Sequence, residues 1–148
     1  AFQFIRDVAV DWDTTRVLHG RIGDDVVVAR KAKGRNEWFV GAITDEEART
    51  IVVSLDFLPR GRAYVAEVYA DGSGAHWRDK PLPVRISRRA VTAATRLSIA
   101  MAAGGGQAIR LRPARCRGEH FGERSDATEY FPARRRRSLP TGPNPAVR

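Results

Sequence analysis

The sequence predicts an all-β fold, an antiparallel β-sandwich of about eight strands. Three observations lead there. Apolar runs of strand length recur between Gly, Asp, Asn and Pro clusters, at the spacing typical of a sandwich. The last three runs alternate apolar and polar residues with period two. No segment sustains the 3.6-residue period of an amphipathic helix.

Residues 1–14, "AFQFIRDVAVDWDT", mix apolar and acidic residues without a period and read as a linker. "RVLHG" is a short strand closed by Gly20. "DDVVVARKA", Asp24 to Ala32, is a β-branched run opened by a turn at Gly23 and Asp24. "KGRN" turns the chain into "EWFVGAI", so these two strands form a hairpin. "RTIVVSL" is the fourth strand, with Ile51, Val53 and Leu55 on one face. "LPRG" precedes the fifth, "AYVAEVYA", which ends at the turn "DGSG". "LPVRISRR" sets Leu82, Val84 and Ile86 against Arg85, Ser87 and Arg89. "TRLSIAM" sets Leu97, Ile99 and Met101 against Arg96 and Ser98. "QAIRLR" sets Ile109 and Leu111 against Arg110 and Arg112. Each pattern predicts one dry and one wet face, and a one-residue slip of register would bury arginines. "TAATRLSIAMAA" competes as a helix on alanine content. Its period of two and the following Gly104, Gly105 and Gly106 decide for a strand and a turn. The sandwich therefore spans 15–113. Residues 114–148, rich in Arg, Gly and Pro without a period, read as a disordered basic tail.

The net charge of +9 invites a nucleic-acid reading. The excess is concentrated at the C-terminus: residues 110–148 hold ten of the 26 Lys and Arg against four of the 17 acidic residues. With 23 arginines and three lysines, the bias points to a GC-rich coding sequence before a binding patch. The run Arg134 to Arg137 has no interleaved aromatic residues for base stacking, so it reads as a solvated tail. Cys116 is the only cysteine, which excludes an internal disulfide and a cysteine-based zinc cluster. No apolar run reaches membrane-spanning length, and Asp7, Asp11 and Asp13 interrupt any signal-peptide pattern. Localisation stays open.

The chemical candidates read as structural. Glu46 and Glu47 form a carboxylate pair, but adjacent side chains diverge and are poorly placed to share one substrate bond. They mark a corner between two strands, and Thr44 with Glu47 has the spacing of a capping box. Asp11 and Asp13 bracket Trp12, and Asp24 with Asp25 reads as a turn. His19, His76 and His120 lie too far apart for a helical zinc motif. Ser54, Ser73, Ser87 and Ser98 lie in no nucleophile elbow. Cys116 and His120 fall in the tail, where no rigid frame holds a dyad. The three glycines lack the Lys-Ser/Thr and helix of a phosphate loop and read as a flexible connection. Trp38, Tyr64, Tyr69 and Trp77 have the chemistry of a sugar platform. Trp38 reads as core, whereas Trp77, in "GAHWRDK", is the candidate sugar contact.

The segment "FIRDVAVDWDTTRVLHGRIGDDVVVARKAKGRNEWFVGAITDEEARTIVVSLDFL", followed by "GGGQAIRL", resembles the C-terminal part of glycoside hydrolase family 97. The shared features run in order from Trp12-Asp13-x-Thr15-Arg16 through Trp38-Phe39-Val40-Gly41-Ala42-x-Thr44 and Leu55-Asp56-Phe57-Leu58. They end at Gly105-Gly106-x-Ala108-Ile109-Arg110-Leu111. The resemblance implies that residues 1–14 leave a (β/α)8 barrel and that the sandwich is the family's oligomerisation domain. It places the catalytic carboxylates and the calcium ligands in the barrel, so no catalytic, cofactor or metal residue is carried over to this chain. Members act on α-glucosides or α-galactosides and are often periplasmic or secreted.

The expected function is thus a non-catalytic accessory domain, whose partner is a catalytic barrel or a second copy of itself. Phe2, Phe4 and Trp12 are its candidate packing interface. The alternatives are a carbohydrate-binding module using Trp77 and nucleic-acid binding through the tail.

Overall fold

The computed structural model describes residues 2–81 and 83–114. The disordered tail expected over 114–148, with Cys116 and His120, lies outside them but for Ala114, as does Leu82. The described residues form eight strands: β1 (Trp12–Arg21), β2 (Asp25–Ala32), β3 (Trp38–Thr44), β4 (Arg49–Ser54), β5 (Tyr64–Asp71), β6 (Val84–Val91), β7 (Arg96–Met101) and β8 (Gly106–Pro113). They form a six-stranded sheet in the order β1-β2-β3-β8-β5-β6 and a two-stranded sheet, β4-β7. Every pairing is antiparallel.

The core lies between the two sheets. β4 and β7 point Ile51, Val53, Leu97, Ile99 and Met101 inward. They meet Val27 and Ala29 of β2, Val40 and Ala42 of β3, and Ile109 and Leu111 of β8. Alternation in β4 and β7 is strict, buried against exposed, as their sequence period requires. The same period defeats the helical reading of 92–103. Trp38 packs on Phe57 with ring centroids 4.6 Å apart, at the end where Leu55 and Leu58 close the core. The buried phenol of Tyr64 donates to Asn36 Oδ1 at 3.0 Å, which satisfies its polar group.

Three features depart from expectation. First, a short helix, α1 (Phe2–Asp7), occupies part of the segment expected to be a linker. At six residues it is too short to display a helical period, and packing rather than propensity stabilises it. Its Phe4 meets Tyr69 at 5.3 Å and Phe39 at 6.0 Å on the outer face of the large sheet. Asp7 Oδ2 accepts a hydrogen bond from Arg110 at 2.8 Å, fastening the helix to β8. Second, β1 starts at Trp12 and continues through Gly20, with register shifts on either side of its middle. The mixed pattern of 12–15 hid the first residues of this edge strand, which pairs with a neighbour on one side only. Third, β6 is not dry on its apolar face: Val84 and Ile86 are 43% and 39% exposed. Paired with Asp71 and Tyr69 of β5, they stand on the outer face of the large sheet, away from the small sheet, where α1 covers them only in part.

β5 shows the reverse effect, with Tyr64 to Ala70 buried throughout. One face meets the core; the other lies under α1. Glu67 on that outer face is 5% exposed and accepts hydrogen bonds from Arg88, its directly opposed partner on β6, the shorter at 2.7 Å. A cross-strand ion pair keeps the buried charge satisfied.

The inter-sheet core sets the stability. Leu97→Ala, at a fully buried position, is expected to cost about 2–5 kcal/mol, whereas Val52→Ala, on the exposed face of β4, should stay within about 0.5 kcal/mol. Urea titration of both variants checks the contrast.

Candidate functional site

The strand order brings four connections to one end of the sandwich: the β1–β2 turn, the β3–β4 corner, the β5–β6 loop and the β7–β8 turn. The β3–β4 corner carries the chain from one sheet to the other. Arg49, the first residue of β4, holds it. Its Nη1 donates to the Asp24 carbonyl and to Thr44 Oγ1, both at 2.9 Å, and its Nη2 donates to Asp45 Oδ2 at 3.0 Å and Glu47 Oε2 at 3.2 Å. The Arg49 hydrogen bond, then the Glu47 backbone N–H, hold the Asp45 carboxyl below the ordinary value of 3.8. No capping box forms. Asp45 Oδ1 accepts the Glu47 N–H at 2.9 Å, and the Thr44 hydroxyl donates to the Glu47 carbonyl at 3.0 Å. An aspartate turn thus replaces the helical turn that the spacing allowed.

Glu46 and Glu47 do not converge. Both are exposed, and only Glu47 touches Arg49. The chemically committed carboxylates are Asp45 and Asp25. The sequence reading took Asp25 for part of a turn; it is the first residue of β2, with a fully buried side chain. His19 Nε2 lies 2.9 Å from its Oδ1, Arg21 Nε donates to its Oδ2 at 2.9 Å, and Arg49 Nε stands at 3.8 Å. A carboxylate ringed by two arginines and a histidine is a buried electrostatic clamp. The cross-strand partnership of residue 19 with 27 depends on a register shift in β1, so sequence spacing carried no sign of it.

The glycine run is equally structural. Asp71 Oδ2 accepts N–H bonds from Ala102 at 2.9 Å and Gly106 at 3.0 Å. A Cβ on Gly105 would stand 2.1 Å from that oxygen, and one on Gly106 would stand 2.3 Å from the Ala42 carbonyl oxygen. Glycine is required there by close approach, so the expected flexible connection is a pinned turn.

The aromatic platform does not assemble: Trp38, Tyr64 and Tyr69 are buried, while Trp77 is 46% exposed on the β5–β6 loop. Asp13 accepts from Lys31 at 3.4 Å, and Asp11 pairs with Lys33 at 3.0 Å. Trp12 packs on Phe39, with the Arg30 guanidinium 5.0 Å from its ring. Among the described residues, no three His, Cys, Asp or Glu side chains gather as a metal ion requires. Ser54 and Ser98 lie on the small sheet, Ser87 on β6 and Ser73 in the turn after β5.

The other notable surface is the outer face of the large sheet. An open groove of about 610 Å³, walled mainly by apolar atoms, runs beside α1 and is lined by Phe4, Ile5, Val26, Ile43, Tyr69 and Val84. Ile43 is 62% exposed and Ile5 67%. Burial, then the Glu67 carboxylate, raise the Tyr69 phenol above its ordinary value, so it stays neutral at the groove wall. Phe4 and Trp12 thus lie at this face, although both spend part of their rings on Phe39; the side chain of Phe2 lies outside the described residues.

Fold and surface together define an antiparallel β-sandwich whose loop end is closed by charge clamps and whose outer face carries an apolar groove. Residues 11–112 match the family described as glycosyl-hydrolase 97 C-terminal, oligomerisation, and the chain belongs to that family. It is the family's non-catalytic accessory domain. A retaining α-galactosidase of Bacteroides thetaiotaomicron is 34% identical over 114 residues, which are 74% of this chain and 16% of the relative. Solved structures of a family 97 enzyme from a Pseudoalteromonas species, one with acarbose and one with panose, superpose with a TM-score of 0.75 at 44% identity. The match covers 77% of this chain and 18% of theirs.

The corner makes stability depend on pH. Because the folded Asp45 pKa is depressed, its contribution is complete above 3.8 and is lost as pH falls through the folded value. Asp45→Asn should lower the melting midpoint at neutral pH, with the gap to wild type closing in acid. Glu46→Gln should leave it unchanged at both ends, and thermal melts across pH check this.

Proposed function

We propose that the outer face of the six-stranded sheet seats this accessory domain on the catalytic domain of a family 97 glycosidase. The observation that carries the reading is the apolar groove beside α1. In the longer relatives this domain is the C-terminal portion, so their chain arrives from the N-terminal side, where α1 lies here. A neighbour joined through a short segment acts at an effective concentration in the millimolar range, so a modest apolar area suffices to hold it. Solvent-exposed Ile5, Ile43 and Val84 around one groove are hard to explain on an isolated surface. On this reading Phe4 and Trp12 brace the face from within, and the exposed aliphatic residues make the contact. The parent enzyme would act on α-galactosides or α-glucosides, with catalytic carboxylates and calcium supplied by its barrel.

The test supplies the barrel separately. The B. thetaiotaomicron α-galactosidase, with its own C-terminal sandwich deleted, is titrated with this chain in sedimentation experiments. Association that Ile43→Arg combined with Val84→Arg abolishes is expected. Failure to associate, or association indifferent to both changes, overturns the proposal; so does a self-associated chain that the same changes dissolve, which would assign the face to a second copy. The chain alone should not turn over aryl α-glucosides or α-galactosides, and product above a blank would contradict the accessory role.

A further inference from the structure

The β5–β6 loop is not explained by packing on either sheet. It closes on itself through two backbone bonds between His76 and Lys80, of 3.1 Å and 3.0 Å, and displays Trp77, Arg78 and Asp79 at its tip. Its base is closed by the Gly72 N–H donating to the Pro83 carbonyl at 2.7 Å. The Trp77 N–H donates to the Ala103 carbonyl at 3.3 Å. A Cβ on Gly104 would stand 2.6 Å from the Cβ of Trp77, so only glycine admits the tryptophan stem. His76 stacks along the indole at 22° with centroids 6.0 Å apart, and the Arg78 guanidinium stands over the ring, 4.7 Å from its centroid. A tryptophan so anchored is ordered before any ligand arrives, which removes much of the entropic cost of binding.

We propose that Trp77 is the platform of a saccharide-binding subsite that takes an α-linked gluco- or galacto-oligosaccharide. Where Arg78 and His76 leave it uncovered, the indole offers a flat, electron-rich apolar surface to the C–H face of a pyranose ring. Arg78 and Asp79, next to it on the same tip, supply a donor fork and an acceptor for ring hydroxyls. Size decides against a protein partner. A specific protein interface needs roughly 800 Å² per side with an apolar centre. Here one large apolar side chain stands among Ser73, Arg78, Asp79 and Lys80, an area suited to one or two sugar rings. The subsite belongs to the loop end and the groove to the outer sheet face, so each is tested on its own; only the α-linked class of the sugar rests on the parent activity inferred above.

The test titrates the 148-residue chain with panose and with maltotriose and follows the indole N–H resonances of its three tryptophans. Saturable shifts of the Trp77 signal are expected, with a dissociation constant of about 1 mM. Trp77→Ala should weaken binding at least about tenfold at an unchanged melting midpoint. Should that variant melt early, Arg78→Gln, which leaves the stem packing intact, should still weaken binding by a measurable factor. No shift with either sugar, or binding that survives both substitutions, overturns the subsite. A Trp77→Ala chain that changes its sedimentation while sugars never bind would mark the tip as a protein anchor and equally overturn it.

Discussion

The domain depends on the seating of a two-stranded sheet on a six-stranded one. An isolated pair of strands is marginal in water. β4 and β7 persist because Ile51, Val53, Leu97, Ile99 and Met101 leave solvent against β2, β3 and β8. Each such side chain contributes roughly 1.5–3 kcal/mol when fully buried. The arrangement forces the chain to leave the large sheet after β3, return for β5, leave again after β6 and return as β8. The clamps at the loop end serve these crossings. Arg49 ties the first departure to the β1–β2 turn, and Asp71 ties the last return to β5.

The exposed apolar surface lies on the opposite side of the large sheet. The small sheet covers only the inner face, and the outer face has only α1 upon it. Phe4, Phe39 and Tyr69 are satisfied there, while Ile43, Val84 and Ile86 extend past the helix into solvent. Charge guards the margin of this face. Arg85, Arg88 and Arg89 lie along the edge strand β6, and like charges on an edge oppose its pairing with another copy of itself. A face left apolar beside an edge kept charged favours a partner that approaches the sheet from above over one that extends it sideways.

All eight strands were legible in the sequence, because half-burial writes a period of two wherever one face is dry, as in β4, β7 and β8. The family was legible as well, since aromatic and glycine positions from Trp12 to Leu111 retain their order. What escaped were contacts that no local pattern encodes. α1 is shorter than the window in which a helix shows itself. The exposure of Val84 and Ile86 depends on how far α1 reaches over the outer face, which β6 itself does not specify. Asp25 looked like a turn residue because its partners, His19, Arg21 and Arg49, come from a shifted strand and a distant corner. The corner itself was read correctly, but its two glutamates drew the attention that belonged to Asp45.

That displacement bears on how carboxylates are weighed in a domain of this kind. Catalysis by two carboxyls requires them to face a common space roughly 5–9.5 Å across. Asp45 faces Arg49, Asp25 faces His19 and Arg21, Asp71 faces two backbone N–H groups, and Glu67 faces Arg88. Each is engaged by donors of this chain and held in the orientation that closes a loop or pairs two strands. A carboxylate spent in this way has its oxygens committed to donors of its own chain and does not face a space that a substrate could enter. The acidic residues at the loop end therefore stabilise the crossings between sheets, while the groove beside α1 and the Trp77 tip take no part in them.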